Sequence, residues 1–237
     1  MTYKTRGIVI KRTNLGEADR ILTIFTEKFG KIKAVAKGAR KTLSKLAGNL
    51  ELFCLDEFLI AEGRNLDIVA GAEVRKCYFN LRNDLRGTQI AFYLAEIIDK
   101  MTEEKEPHPE IFDLIENTLE NINSHENNIL ISYFEINFLS ESGFNPELYK
   151  CIVCGKKLEE SSCGFNYSAG GLVCQNCHKD IKVSSNAVKI LRIFLKHKIA
   201  IIKKLKPDKK LSKEITKITR DYLKTILQKE IKSESYI

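Results

Sequence analysis

Four cysteines in two C-x2-C pairs are the residues whose types and spacing most clearly indicate chemistry. The pairs are Cys151/Cys154 and Cys174/Cys177, with 19 residues between them. This pattern, with a loop of this length, is typical of zinc sites. Four thiolates would complete a tetrahedral site with no open position. We therefore expect one structural zinc ion, held in an insert at about residues 147–180.

Other chemistry for the quartet is less consistent with the sequence. Disulfides are disfavoured in a reducing cytosol. Cys174 to His178 also matches the C-x-x-C-H haem-attachment pattern, but covalent haem needs an exported chain and would leave the first pair unexplained. Redox or iron–sulfur chemistry stays open. Cys163 and His178 are lesser candidate ligands, and we expect Cys54 and Cys77, which lie in apolar contexts, to be core residues.

The second candidate site is the basic stretch of residues 28–45. Seven of its eighteen residues are Lys or Arg, and none is acidic. The charges alternate with Ile32, Ala34 and Val35 and continue into a turn-prone loop at Gly38, which predicts a strand with one charged face followed by a basic loop. A phosphate backbone is bound by many point charges without base pockets. A merely solubilising surface is the alternative explanation.

The net charge of +8 is unevenly distributed along the 237 residues. Residues 1–80 carry 15 basic and 9 acidic side chains, whereas residues 81–145 carry 4 and 13. Residues 181–237 carry 16 and 5. Two basic ends therefore flank an acidic middle, which favours a polyanionic partner such as nucleic acid over an anionic small molecule.

The sequence has no recognisable catalytic motif. It contains no P-loop, G-x-G-x-x-G, G-x-S-x-G or H-E-x-x-H pattern. Glu17 and Asp19 are the only close acidic pair near the basic stretch, and we expect them to shape a turn. The chain begins without an apolar signal core and has no run of about 18 apolar residues. We therefore expect a cytoplasmic protein that is not an enzyme and does not enter a membrane.

Two kinds of element must position these residues. Residues 1–77 show five short strand patterns separated by Gly and Asn turns, which predicts a small closed barrel of the OB type, although an SH3-like barrel fits the pattern too. Residues 78–237 show helical periodicity, interrupted by the cysteine insert. The predicted fold class is thus α+β: a five-stranded OB-like barrel (1–77) followed by an all-α domain (78–237) with a four-cysteine zinc insert.

Several segments together resemble the bacterial RecO family of DNA repair proteins. They are Gly16–Thr26 (Gly-Glu-Ala-Asp-Arg-Ile-Leu-Thr-Ile-Phe-Thr), Gly30-Lys31, Ala36–Lys41 (Ala-Lys-Gly-Ala-Arg-Lys) and Ser44. The order of barrel, helices and cysteine insert is also similar. Some members of the family lack the cysteines, so the zinc prediction depends on the spacing in this chain.

The resemblance implies a non-enzymatic recombination mediator. Such proteins bind single- and double-stranded DNA, anneal complementary strands, contact the acidic C-terminal tail of single-stranded DNA-binding protein, and work with RecR to load RecA at gaps. The family's basic barrel surface falls on these residues of this chain: Lys31, Lys33, Lys37, Arg40, Lys41 and Lys45, with Lys11, Arg12 and Arg20 as neighbours. The basic C-terminal helices are a hypothesis for the acidic tail, on charge alone.

Two other functions remain open from the sequence. One is an RNA- or ribosome-associated OB protein with a zinc knuckle. The other is a zinc-dependent nucleic-acid enzyme, for which Glu17 or Asp19 would be the residues to test.

Overall fold

A computed structural model describes residues 1–42, 44, 47–78, 81, 83–122, 128–158 and 163–237. The first five strands occur where the sequence predicts them. They are β1 (Thr2–Leu15), β2 (Asp19–Thr26), β3 (Gly30–Ala36), β4 (Cys54–Ala61) and β5 (Asp67–Cys77). A short 3₁₀ helix (Ala47–Asn49) precedes β4.

These strands close into a barrel in the order β1-β2-β3-β5-β4. β3 pairs with β5 in parallel, and all other neighbours are antiparallel, with β1 against β4 closing the ring. A five-stranded Greek-key barrel of this kind is the OB-fold, so the predicted barrel type is confirmed. Its interior is filled by alternate residues of the strands, since side chains of a strand point to opposite faces. They include Val9, Leu22, Ile24, Ile32, Ala34, Ala36, Phe58, Ile60 and Val69.

The prediction for Cys54 and Cys77 needs a correction. Cys54 is buried, as expected, but it lies opposite Cys77 in the β4–β5 register, and the two are joined by a disulfide. Because they are 23 residues apart, only the pairing of the two strands brings their Cα atoms to 4.5 Å. The sequence alone does not give the register of β4 against β5, and this register decides that the two cysteines meet.

The helices of the described residues follow, and four of them begin at a side-chain cap or a proline. They are α1 (Leu85–Met101), α2 (Pro109–Asn121), α3 (Asn128–Glu141), α4 (Ser185–Lys196), α5 (Ile199–Ile202) and α6 (Lys209–Leu227). Asp84, Ser184 and Asp208 each accept a hydrogen bond from a first-turn N–H, and Pro109 starts α2. The helical period predicts a last helix that reaches Ile231; it ends instead at Leu227, where Gln228 takes a left-handed conformation. A 3₁₀ helix (Lys232–Tyr236) follows.

The chain forms two compact units. The first comprises Met1–Ser124 and Ile231–Ile237, and the second comprises His125–Glu230. The sequence-based boundary at residue 77 separates barrel from helices, whereas the compact units group α1 and α2 with the barrel. In the first unit, Glu96 of α1 accepts hydrogen bonds from the backbone N–H groups of Lys232 and Ser233 and thereby holds the C-terminal segment.

The second unit combines helices with a small sheet. The sheet has the order β7-β6-β8, formed by β6 (Cys163–Asn166), β7 (Gly171–Val173) and β8 (Ile181–Val183). Phe165 of β6 packs against the Tyr222 ring of α6, at 5.3 Å between ring centroids. Between α3 and α6 the carboxylate of Glu135 is fully buried and accepts a hydrogen bond from Thr219, and its Oε1 lies 3.7 Å from Arg220 Nε.

Candidate nucleic-acid interface and metal centre

The edge of β3 at Lys31 is covered within the first unit. The backbone of Lys105 donates to the carbonyl of Lys31, and Glu104 forms a parallel bridge to the same residue. Gly30 permits this approach: its φ is +65°, and a Cβ at this position would lie 2.0 Å from the carbonyl oxygen of Glu106. The acidic segment after α1 therefore runs alongside the basic strand.

Lys31 is consequently not a surface residue, and its prediction as part of the basic barrel surface is wrong. It is only 5% exposed. Its ammonium donates to the carbonyl of Asp99 at the end of α1, and its Nζ lies 3.5 Å from Asp99 Oδ1. The alternation of charged and apolar residues correctly separates this face of β3 from the core face. Protein covers the face at Lys31, whereas Lys33 on the same face stays exposed.

Three other predicted residues are exposed or half-buried but already form ion pairs. Lys33 pairs with Glu104. Lys11 Nζ lies 3.0 Å from Asp99 Oδ2. Arg12 Nη1 lies 3.2 Å from Glu51 Oε1 and donates to the carbonyl of Leu50. Much of the positive charge of the barrel is therefore balanced internally, largely by the acidic region that the sequence treats as a separate block.

The loop after β3 is different. Lys37, Arg40 and Lys41 are all exposed, and no acidic side chain pairs with them within the described ranges. The loop is nevertheless fixed: the backbone N–H of Gly38 donates to Asp19 Oδ1 at 2.7 Å, and that of Arg40 donates to the carbonyl of Ala18 at 2.9 Å. Arg40 Nη1 also donates to the carbonyl of Gly16. The loop thus presents three cations on a defined backbone.

The last two predicted residues are Arg20, which lies beside the start of this loop, and Lys45, which follows it in the sequence. Arg20 is half-buried on β2, directly opposite Ala36 at the end of β3. Lys45 lies outside the described residues. We call Arg20, Lys37, Arg40 and Lys41 the loop surface.

The second unit carries its own basic surface. Exposed lysines surround α5 and the start of α6, where acidic residues are few; they are Lys198, Lys203, Lys204, Lys206, Lys209, Lys210 and Lys213. The buried stripe of α6 includes Ile215, Ile218 and Leu223, and the exposed lysines that belong to this helix (Lys209, Lys210 and Lys213) lie outside that stripe, as the helical period predicts.

The four predicted metal ligands come together in the second unit. The sulfurs of Cys151, Cys154, Cys174 and Cys177 all lie within 4.8 Å of one another. The Sγ atoms of Cys154 and Cys174 are 3.8 Å apart, and those of Cys174 and Cys177 are 3.6 Å apart. Zn–S bonds of about 2.3 Å in a tetrahedron place sulfurs about 3.8 Å apart, so the donor set fits a four-thiolate ion.

Local backbone structure explains this geometry. Cys151 N–H donates to the carbonyl of Lys156, and Gly155, with φ +74°, donates to the carbonyl of Cys151. Cys174 directly follows β7, and a turn leads to Cys177. Burial raises the pKa of Cys151, but backbone N–H groups of Cys174, Cys154 and Val153 outweigh burial and lower it to about 6. Cys151 therefore favours the thiolate, which is the form that binds metal, whereas hydrogen bonds with Cys174 and Cys151 raise the pKa of Cys177.

The two lesser candidate ligands stay outside this cluster. Cys163 is buried in β6, opposite Val183 of β8. The side chain of His178 is 80% exposed, with Nε2 3.4 Å from Asp180 Oδ1. Over the residues that the structure covers, the cysteine quartet is the only group of three or more His, Cys, Asp or Glu side chains placed to share a metal ion.

Asp19, one of the two acidic residues considered for catalysis, binds the loop backbone, as described above. Among the described residues, no helix combines the length and apolar character that a bilayer span requires.

The chain combines an OB barrel with a fixed basic loop and a helical unit with four cysteines that can hold a metal ion. It is thus an OB-fold protein with a candidate metal site. Family models make the assignment specific. Recombination protein O N terminal matches residues 1–78, and Recombination protein O C terminal matches residues 82–235. The chain belongs to the RecO family.

Individual relatives agree over nearly the whole chain. A DNA repair protein RecO from Dehalococcoides mccartyi strain BAV1 is 36% identical over 235 residues, which cover 98% of this chain and 93% of that protein. The proteins of the same name from Alkaliphilus metalliredigens and Desulforamulus reducens are 34% and 30% identical. They are covered over 93% of their length, with 94% and 99% of this chain.

The sequence did not predict which acidic residues pair with the lysines of β3; they are Asp99 and Glu104. In the sequence, Asp99 and Glu104 are only two of the 13 acidic residues in the acidic middle, residues 81–145. The signal was present in the charge distribution, because an excess of acidic side chains directly after a basic barrel suggests that the two charge blocks pair. Only the packing shows which lysines are used in this way.

Proposed function

We propose that this protein is a non-enzymatic recombination mediator in DNA repair, which binds single- and double-stranded DNA and anneals complementary strands. The observation that carries the proposal is the loop surface, in which Lys37, Arg40 and Lys41 are exposed on a fixed loop of an OB barrel. They are separate from the lysines that pair with acidic residues. Membership of the RecO family, whose compared members are named DNA repair proteins, supports the repair role.

The mechanism follows from electrostatics. Two DNA strands repel each other through their phosphates, so a protein that anneals them must lower this repulsion. Each compact unit offers an exposed basic surface, the loop surface in the first and the lysines around α5 and α6 in the second. Phosphate contacts of this kind are independent of base sequence, and annealing requires that independence.

The loop surface suits single strands in particular. OB-folds bind single-stranded nucleic acid along a charged groove without requiring a sequence. Because Asp19 and the turn at Gly16 to Ala18 hold the loop backbone, binding does not have to order it. The entropic cost of binding is therefore low compared with that of an unstructured basic tail.

The metal in the cysteine quartet is zinc in this proposal, and its role is structural. A closed four-thiolate site leaves no position for a substrate or a reactive water. When bound, the ion supplies folding energy to residues 147–180, on the order of 10 kcal/mol by analogy with zinc-finger peptides.

The proposed partners follow from the family and from charge. The acidic C-terminal tail of single-stranded DNA-binding protein would bind the lysines around α5 and α6, and RecR would act with this protein to load RecA onto gaps coated with that protein. The proposed location is the cytoplasm, on the nucleoid when the protein is bound to DNA.

The experiment that tests this function is a strand-annealing assay with two complementary oligonucleotides, one carrying a fluorophore and the other a quencher. The strands are used bare and coated with single-stranded DNA-binding protein, without nucleotide. We expect annealing in both cases, faster than without protein. Absence of annealing, together with equal or tighter binding to RNA, would instead support the RNA-binding class. Metal-dependent turnover that is lost in Asp19→Asn would indicate an enzyme.

A further inference from the structure

An exposed tyrosine packs against two cations near the cysteine quartet of the second unit. Tyr149 is 45% exposed. The guanidinium carbon of Arg192 lies 4.7 Å from its ring centroid, and Lys196 Nζ lies 5.1 Å from it. Both cations come from α4, four residues apart, so they approach the ring from the same helix. We call these three residues the aromatic platform.

The backbone of Tyr149 is held at two points. Its N–H donates to Glu147 Oε1 at 2.7 Å, and its carbonyl accepts from the N–H of Leu158 at 3.2 Å. Two residues later the chain enters the cysteine knuckle at Cys151, which is closed by the Lys156 carbonyl. The position of the ring is therefore linked to the fold of the metal centre.

Arg192 is also fixed. Its Nε and Nη2 donate to the carbonyl of Leu148 at 3.0 and 2.8 Å. The guanidinium is thus oriented by the residue preceding Tyr149, and it does not have to be ordered when a ligand arrives. An aromatic ring held beside a fixed cation provides both the stacking and the charge that nucleobases and their phosphates require.

The surroundings extend the positive charge. Lys150, Lys156 and Lys157 are exposed on the knuckle. Ile152 and Val153 at its tip are 40% and 58% exposed. A phosphate backbone that passed over the knuckle would meet these lysines while a base reached the tyrosine.

We propose that the aromatic platform is a stacking site for an unpaired base of single-stranded DNA. The proposal rests on the proposed function, because it assumes that the protein binds single strands. It adds a second kind of contact: the loop surface binds phosphates, whereas Tyr149 binds the face of a base. Faces of paired bases are stacked within a duplex, so this contact distinguishes single strands from double strands.

The test uses the full-length, metal-loaded protein with a single-stranded oligonucleotide that contains 5-iododeoxyuridine, a base that crosslinks to stacked aromatic side chains under ultraviolet light. Mass spectrometry of the digested product should locate the crosslink at Tyr149. In parallel, Tyr149→Leu should weaken binding to single-stranded DNA about five-fold or more, since one base–aromatic stack contributes about 1–3 kcal/mol. Its binding to duplex DNA should be unchanged. Tyr149→Phe, which keeps the ring, should bind single strands like the wild type.

Phe144→Leu is the matched control. Phe144 is 43% exposed in the same unit, and it forms hydrogen bonds through its backbone N–H and carbonyl, which the substitution keeps. This variant should bind as the wild type does. Metal content and circular dichroism of each variant show whether the fold is kept.

Three results would overturn the proposal. Tyr149→Leu could bind single strands with wild-type affinity, or it could lose as much affinity for duplex DNA as for single strands. An acidic aromatic peptide could also bind at Tyr149 without affecting DNA binding. The last result would make the platform a peptide site. If the wild-type protein does not bind single strands at all, the proposed function fails. If the wild type binds and the Tyr149 variants do not differ from it, only this inference fails.

Discussion

Replacing the three cations of the loop should reduce the salt dependence of DNA binding, and replacing three ion-paired lysines should not. The loop variant is Lys37→Ala/Arg40→Ala/Lys41→Ala. The control variant is Lys11→Ala/Lys33→Ala/Lys76→Ala, whose lysines pair with Asp99, Glu104 and Glu120. Both variants lower the net charge by three, so a difference between them cannot arise from total charge.

The size of the effect follows from the number of contacts. Each phosphate neutralised on a single strand contributes about 0.7 to the slope of log K against log salt. Losing three contacts should make the slope shallower by about 2. Between 50 and 200 mM salt the wild type should therefore lose about 16-fold more affinity than the loop variant loses. Lysines that already pair with carboxylates neutralise no phosphates in this account. Their removal therefore leaves the release of cations from the DNA unchanged, and the control slope should stay near that of the wild type.

The assay is fluorescence anisotropy of a labelled, unstructured oligonucleotide at four or more salt concentrations. Thermal unfolding of each variant confirms that the fold survives. Equal slopes for the two variants would mean that only net charge matters, and the assignment of the loop surface would be wrong.

Three other predictions address the fold and the metal centre. Gly30→Ala should lower the free energy of unfolding in urea by more than about 2 kcal/mol, because φ is left-handed and the new Cβ would meet the backbone of Glu106. Gly16→Ala is the control: φ is +56° but no atom lies within 4 Å of its Cβ, so it should cost only about 1–2 kcal/mol. Equal losses of stability in the two variants would contradict the close packing at Gly30. Elemental analysis should find one zinc ion per chain, lost in Cys174→Ser but kept in Cys163→Ser; an absence of zinc in metal-replete wild-type protein would refute the site. Glu96 should make stability fall as the pH drops from about 5 towards 2. Burial raises its pKa, but hydrogen bonds from Lys100, Ser233 and Lys232 outweigh burial and lower the pKa to about 2. The unfolded pKa is about 4.3, so the stabilisation is present above that pH and is lost as the folded carboxylate is protonated. Glu96→Gln should be about 2 kcal/mol less stable at pH 7 and less sensitive to this range, and a wild-type acid dependence in the variant would contradict this role.

Local sequence signals predicted the elements well because the deciding information was local. The five strands, the helix starts at Ser184 and Pro109, and the spacing of the four cysteines all depend on residues near one another in the chain. The register of β4 against β5 is not local, and it decided that Cys54 and Cys77 form a disulfide.

The charged residues show the same limit at the candidate site. Lys31 and Lys37 look alike in the sequence, six residues apart on one basic stretch. Packing of the 99–106 segment buries Lys31 and leaves Lys37 exposed. The helical period likewise predicts that Arg220 lies on the solvated side of the last helix, yet it lies beside the buried Glu135. Tertiary contacts therefore decide which charged side chains pair with one another inside the protein.

We propose that DNA contacts the loop after β3 and not the face of β3, and lysine footprinting distinguishes these two surfaces. The protein is acetylated briefly with an amine-reactive reagent, with and without single-stranded DNA, and each lysine is quantified by mass spectrometry. We predict that Lys37 and Lys41 react in the free protein and are protected by DNA. Lys11 and Lys33, with side chains 59% and 44% exposed, should react equally in both states, and Lys31, at 7%, should react in neither. Protection of Lys33 with unchanged reactivity of Lys37 and Lys41 would contradict the claim and return the binding surface to the strand.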